Sequence, residues 1–203
     1  MRTAESMIKN VILDMGNVLL NYDPQIPLDL YCDSREEKEM IRRELFEGPE
    51  WRLGDLGEIS DPDRYDLVKS RVSEAYWPHL KKCCDSWYVC MEELEGARNF
   101  CDYVKRAGYG IYILSNASDA FYTYFPPFLP TDYFDGVVVS SDVHMVKPDR
   151  EIFEYLLNKY GLKAEECLFI DDMQENVEGA RAAGMQAFRF AGNYEEIKKK
   201  YSL

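Results

Sequence analysis

Four short apolar runs in this 203-residue chain lead into side chains that can do chemistry. The first is followed by Asp14, the second by Ser115-Asn116 and the fourth by Asp171-Asp172, while the third runs through Ser140 to Lys147-Pro148. Taken singly, each is ordinary cap or turn chemistry. Gathered on one rim, they form a site. Three converging carboxylates raise one another's pKa and call for a cation. Oxygen donors with no cysteine or histidine among them suit a hard ion, and Mg²⁺ commonly binds one or two carboxylates plus a substrate phosphate. A lysine charge and a Ser/Asn donor pair complete a set suited to in-line phosphoryl transfer, with Asp14 as nucleophile.

The elements that must position these residues can be read from hydrophobic patterning. Residues 10–14, 110–114, 136–140, 167–171 and 186–190 are short, β-rich and apolar on both faces, the pattern of buried parallel strands. Helical patterns at 96–107, 117–124, 149–160 and 174–183 alternate with them, three ending at Gly108, Gly161 and Gly184. This alternation predicts an α/β fold with a doubly wound, Rossmann-like parallel sheet, in which ligands bind outside the carboxyl ends of the strands. One interval departs from it. Residues 24–95 show helical patterns, such as 36–46 and 62–75, but no strand, which predicts a helical cap subdomain inserted into a core made of 1–23 and 96–203. Trp51, Trp77 and Trp87 are expected to form the small core of that cap.

Composition narrows the function. The chain carries 24 Lys+Arg against 37 Asp+Glu, a formal charge of −13. Such a surface repels nucleic acid and anionic lipid, so the expected partner is a small anion held by local cations or a metal. The six cysteines lack zinc spacing, and Cys83-Cys84 receives no role. The run Val11-Ile12-Leu13 is too short for a signal or a membrane span, so a cytoplasmic setting is expected. No G-x-G-x-x-G follows the first strand, which leaves a nicotinamide-binding reading unsupported.

Asp14-Met-Gly-Asn-Val18, Leu114-Ser-Asn116, Lys147-Pro148 and Phe169-Ile-Asp-Asp172 resemble, in order and spacing, the four motifs of the haloacid dehalogenase superfamily. The insertion resembles its C1-type cap. Asp14-Met-Gly-Asn-Val-Leu, Gly57-Glu-Ile-Ser60 and residues 171–180 are similar to bacterial α-D-glucose-1-phosphate phosphatases and the phosphatase domain of soluble epoxide hydrolases. The resemblance implies that Asp14 becomes an aspartyl phosphate and that Ser115 and the Asn116 backbone bind phosphate oxygens. It implies that Lys147 offsets their charge, and that Asp171, Asp172, Asp14 and the Gly16 carbonyl hold Mg²⁺, with Asn176 behind them. The implied substrate is a small phosphorylated metabolite, most simply a sugar phosphate, handled by a monomer or homodimer.

One departure stands out. The superfamily's usual acid, two residues after the nucleophile, is replaced by Gly16, and the loss of general acid-base help costs about 10²–10⁴ in rate. Asp23 is a candidate substitute. Gly16 also leaves two alternatives open: a 2-haloacid dehalogenase, and a regulator that binds a phosphometabolite with little or no catalysis. The Asp171-Asp172 pair favours the metal-dependent phosphatase over both. His144, three residues before Lys147, is expected to be a surface loop residue.

Overall fold

The computed structural model describes residues 7–203. Its centre is a five-stranded parallel sheet of β1 (Asn10–Leu13), β2 (Gly110–Ser115), β3 (Gly136–Val139), β4 (Cys167–Asp171) and β5 (Gln186–Arg189), ordered β3-β2-β1-β4-β5. This is the doubly wound α/β architecture. The strands are apolar on both faces because both faces are covered. Val11, Leu13, Ile111, Ile113, Leu168 and Ile170 point into one buried cluster, while Ile12, Tyr112, Leu114 and Phe169 point into the other.

Helices α1 (Gln25–Tyr31), α2 (Arg35–Ile41), α3 (Pro49–Asp55), α4 (Asp61–Val68) and α5 (Trp77–Ser86) lie between β1 and β2. Here α1 and α4 pack on α5, and α3 packs on α4. The remaining helices are α6 (Ala97–Arg106), the single turns α7 (Phe121–Tyr124) and α8 (Ser140–Val143), then α9 (Arg150–Tyr160), α10 (Gln174–Ala182) and α11 (Tyr194–Tyr201). Gly108, Gly161 and Gly184 sit at φ +86°, +64° and +92°, the left-handed stops that their positions after α6, α9 and α10 require.

Three helical expectations are shortened. The 36–46 pattern splits into α2 and a π-helical turn at Arg42–Phe46, and 62–75 ends as a helix at Val68 before a 3₁₀ turn. The 117–124 pattern keeps only its last turn. Residues 116–118 have no regular structure, and the Ala117 N–H donates to Ser140 Oγ at 2.9 Å instead of joining a helix. Among the described residues no helix is long and apolar enough to cross a membrane.

Candidate active site

Register brings the motif residues together. Leu13 is aligned with Ile113 and Ile170, so Asp14, one step past β1, falls level with Asp171, the last residue of β4. The Asp14 N–H donates to Ile170 O at 2.9 Å, which holds the carboxylate over β4. Lys147 reaches the same point from the loop after α8. Its Nζ lies 2.7 Å from Asp14 Oδ1 and 2.7 Å from Asp171 Oδ2. Burial alone would lower the lysine pKa, but the two carboxylates hold it above its ordinary value.

The loop carrying Lys147 is fixed by Asn116. Asn116 Nδ2 donates to Lys147 O at 2.9 Å, and the Lys147 N–H donates back to Asn116 Oδ1 at 2.8 Å. Its side chain therefore positions the lysine and is not free for a ligand. Asp171 is clamped from the other side. Its oxygens accept from Asn176 Nδ2 at 3.1 and 3.0 Å, and Oδ1 accepts from the Met173 N–H at 2.8 Å. Asp172 Oδ2 accepts from Asn17 Nδ2 at 3.2 Å, while Asn17 Oδ1 accepts from the Tyr22 N–H at 3.0 Å. Asn17 has φ +53°, a left-handed conformation that Asn tolerates better than most residues.

Oxygens of Asp14, Asp171 and Asp172 lie within 4.8 Å of one another. Burial, then the charges of Asp171 and Asp172, push the Asp14 carboxyl upward against the pull of Lys147. Burial raises Asp172 as well, against the Asn17 hydrogen bond. One lysine leaves the trio short of positive charge. An oxygen-only donor set with surplus negative charge fits a hard divalent cation such as Mg²⁺.

Above the trio lies a cavity of about 410 Å³, lined by Asp14, Gly16, Asn116, Lys147 and Asp172 on one side. Asp171 is fully buried just behind them. Ser115 lies behind the rim, its buried Oγ without a hydrogen-bond partner, and Ser118 Oγ, equally unpartnered, belongs to a residue that lines the cavity. The opposite wall comes from the segment between β1 and β2, with Tyr124 of α7. Trp51 and Trp87 lie 5.1 Å apart, Trp87 lies 5.3 Å from Tyr124, and Tyr22 lies 6.0 Å from both tryptophans. The expectation of a tryptophan core holds for Trp87, buried in the hydrophobic core, and for Trp51 packed against it, and both also line the cavity; Trp77 lies outside that cluster and donates its indole N–H to Lys69 O and Val72 O.

Asp23, the candidate substitute acid, is exposed, accepts from the Gln25 N–H at 2.8 Å just before α1, and does not line the cavity. His144 is exposed, with Nδ1 2.8 Å from Leu56 O. Sequence reasoning missed Asn17, whose signal was an Asn where the chain must turn left-handed. It also missed Arg64 and Asp55, which carry no local signal within the helical segment. Arg64 is buried, its guanidinium 4.3 Å from the centre of the Trp51 ring and its Nη1 2.6 Å from Asp61 Oδ1.

The model of the haloacid dehalogenase-like hydrolases matches residues 8–184. The chain belongs to that family. It is similar to the sesquiterpene phosphatase astK of Aspergillus oryzae, 26% identical over 87% of this chain and 87% of that one. It is also similar to the D-ribitol-5-phosphate phosphatase of Bacteroides thetaiotaomicron, 24% identical over 90% of this chain and 92% of that one. The drimenol cyclase drtB of Aspergillus calidoustus is 26% identical over 91% of this chain, which spans only 34% of that protein's length. A haloacid dehalogenase family enzyme of Bacteroides thetaiotaomicron, solved with magnesium and inorganic phosphate, shares the fold at TM-score 0.73 and 22% identity, over 92% of this chain and 95% of that one.

Proposed function

We propose that this chain, a haloacid dehalogenase-like phosphatase, is a Mg²⁺-dependent phosphomonoesterase that hydrolyses a small phosphorylated metabolite through an aspartyl phosphate on Asp14. The observation that carries the reading is the cavity floor, where Asp14, Lys147 and Asp172, with Asp171 just behind, meet within hydrogen-bonding or ion-ligand range. Asp14, Asp172, Asp171 and the Gly16 carbonyl would hold Mg²⁺, which when bound supplies charge neutralisation for nucleophile and phosphoryl oxygens.

The chain's own groups do the rest. Lys147 fixes one oxygen of Asp14 and orients the other for attack in line with the leaving oxygen. The unpartnered hydroxyl of Ser118, on the cavity lining, would donate to a phosphate oxygen, and that of Ser115, just behind the rim, would do so by turning toward the cavity. The Asn116 side-chain amide holds the lysine backbone, and its backbone N–H would serve as the donor to a phosphate oxygen. The aromatic wall excludes water from the leaving group. A cytoplasmic setting and a small-molecule partner belong to the same reading.

A sugar or polyol phosphate is the first substrate class, supported by the ribitol-phosphate relative. The wall of Tyr22, Trp51, Trp87 and Tyr124 supports a second, a phosphate ester of an apolar alcohol, as the sesquiterpene phosphatase relative handles. Phosphate release is to be measured from polyol phosphates, isoprenoid monophosphates and an aryl phosphate, with and without Mg²⁺, in wild type and Asp14→Asn. Mg²⁺-dependent release that vanishes in the variant supports the reading. No release from any ester, with halide release from a 2-haloacid, transfers the site to the dehalogenase alternative.

A further inference from the structure

Gly16 leaves the site without its usual proton donor, although packing does not demand a glycine there. A Cβ built on Gly16 meets only Tyr22 Cβ, at 3.8 Å. The donor must come from elsewhere, and the cavity lining limits the choice. Outside Asp14, Asp172 and the permanently charged lysine and arginines, the protonatable side chains on it are Tyr22, Glu47, Asp55, Tyr124 and Glu175. Glu47 and Glu175 are exposed. Burial holds the hydroxyls of Tyr22 and Tyr124 above their ordinary value, so neither yields its proton readily near neutral pH. Asp55 remains.

The backbone at Asp55 is fastened to the core rim. Asp55 O accepts from Ser140 Oγ at 2.6 Å, and that hydroxyl also receives the N–H of Ala117, a cavity residue next to Asn116. Leu56 O lies 2.8 Å from His144 Nδ1. Gly57, at φ +70°, packs so tightly that an added Cβ would lie 2.3 Å from Ser141 O. Three successive residues of the inserted segment are thus seated on the turn after β3. No ion pair involves the Asp55 carboxylate among the described residues.

We propose that Asp55 is the general acid-base of this site, supplied by the inserted segment in place of the missing side chain at Gly16. The inference rests on the phosphatase reading. In the first step an oxygen of Asp14 bonds to phosphorus, the bond from phosphorus to the ester oxygen breaks, and that oxygen takes the Asp55 proton. In the second, the Asp55 carboxylate accepts a proton from water as the water oxygen bonds to phosphorus, the acyl phosphate bond breaks, and Asp14 and protonated Asp55 are restored. Arg64, Asp61, Lys147 and Arg52 act on the carboxyl through their charges, with Tyr22 and Tyr124 facing it. Burial outweighs the cations and raises its pKa to about 7, in the range an acid-base group needs at neutral pH.

The test compares benzyl phosphate, whose alcohol leaves only with a proton, with p-nitrophenyl phosphate, whose phenol leaves without one. The readout is kcat/KM with Mg²⁺, which reports steps up to alcohol release. Asp55→Asn is expected to lower the benzyl to nitrophenyl ratio about 10²-fold, the worth of a proton donor. Adding Gly16→Asp to that variant is expected to recover part of the ratio. In wild type the benzyl profile should fall above about pH 7, a limb absent from the nitrophenyl profile. Equal losses on both esters, or none, overturn the Asp55 role while leaving the phosphatase reading intact. Failure of wild type to cleave either ester overturns both. If Asp55→Asn does not fold, the two wild-type pH profiles decide alone, and matching profiles overturn the proposal.

Discussion

Lys147 Nζ lies 2.7 Å from Oδ1 of Asp14, and the lysine side chain is almost wholly buried. A buried cation paired with the nucleophile does two jobs, compensating charge and fixing one carboxylate oxygen so that the other can attack. Removing it strands Asp14 and Asp171 in a low-dielectric site. Lys147→Met is expected to abolish phosphate release and to cost about 3–5 kcal/mol of stability, the usual penalty for breaking a buried pair. Urea denaturation with and without Mg²⁺ checks this. Full stability in the variant without Mg²⁺ would show that the carboxylates are neutral in the fold.

Mg²⁺ should bind the folded chain and not the unfolded one. At a concentration 100-fold above Kd it is expected to stabilise wild type by about 2.7 kcal/mol. Asp172→Asn removes one oxygen donor and the partner of Asn17 Nδ2. The stabilisation by Mg²⁺ should then shrink, read as a smaller rise in Tm at equal Mg²⁺. An unchanged rise would place the ion elsewhere.

The Asp55 carboxyl gives a stability signature of its own. Burial raises its folded pKa to about 7, from about 3.9 in the unfolded chain. Between those values the fold keeps a proton that the unfolded chain has released. Stability from this group is complete below about pH 4 and lost as pH rises through 7. Asp55→Asn does not ionise and keeps it. Its stability relative to wild type, without Mg²⁺, should therefore improve from pH 5 to pH 8, by on the order of 1–3 kcal/mol. A difference that is flat with pH would mean that Asp55 is ionised in the fold throughout.

Gly179 lets α10 close onto the loop of Lys147. A Cβ there would lie 2.5 Å from Pro148 O and 3.0 Å from the Phe153 ring. The first neighbour is backbone and does not swing away. Gly179→Ala should cost about 1–3 kcal/mol, as overpacking does. It should also lower kcat, because Pro148 carries Lys147 with it. A variant as stable and active as wild type would show that the loop gives way freely.

Much of the core could be read from sequence, because each signal was local. Strands such as Val11-Ile12-Leu13 and Leu168-Phe169-Ile170 are apolar on both faces only because a parallel sheet is covered on both, and Asp14 and Asp171 follow them directly. The order of strand ends therefore named most of the floor of the cavity. Asp23 and Asp55 show where that reading stopped. Both are aspartates of polar, helical sequence, and nothing local separates them. Asp23 ends in solvent, bonded to the Gln25 N–H just before α1, whereas the Ser140 and His144 contacts, from residues 85 and 88 positions away in the chain, seat Asp55 over the core. Trp51 and Trp87 were equally legible as apolar but not as cavity wall, since a ring packs the same way whether its second face meets side chains or an open pocket. Sequence determines what a strand end carries, because the period of the strand places it. Which residues of an inserted helical segment face that end depends on how the segment docks, and only the tertiary contacts decide that.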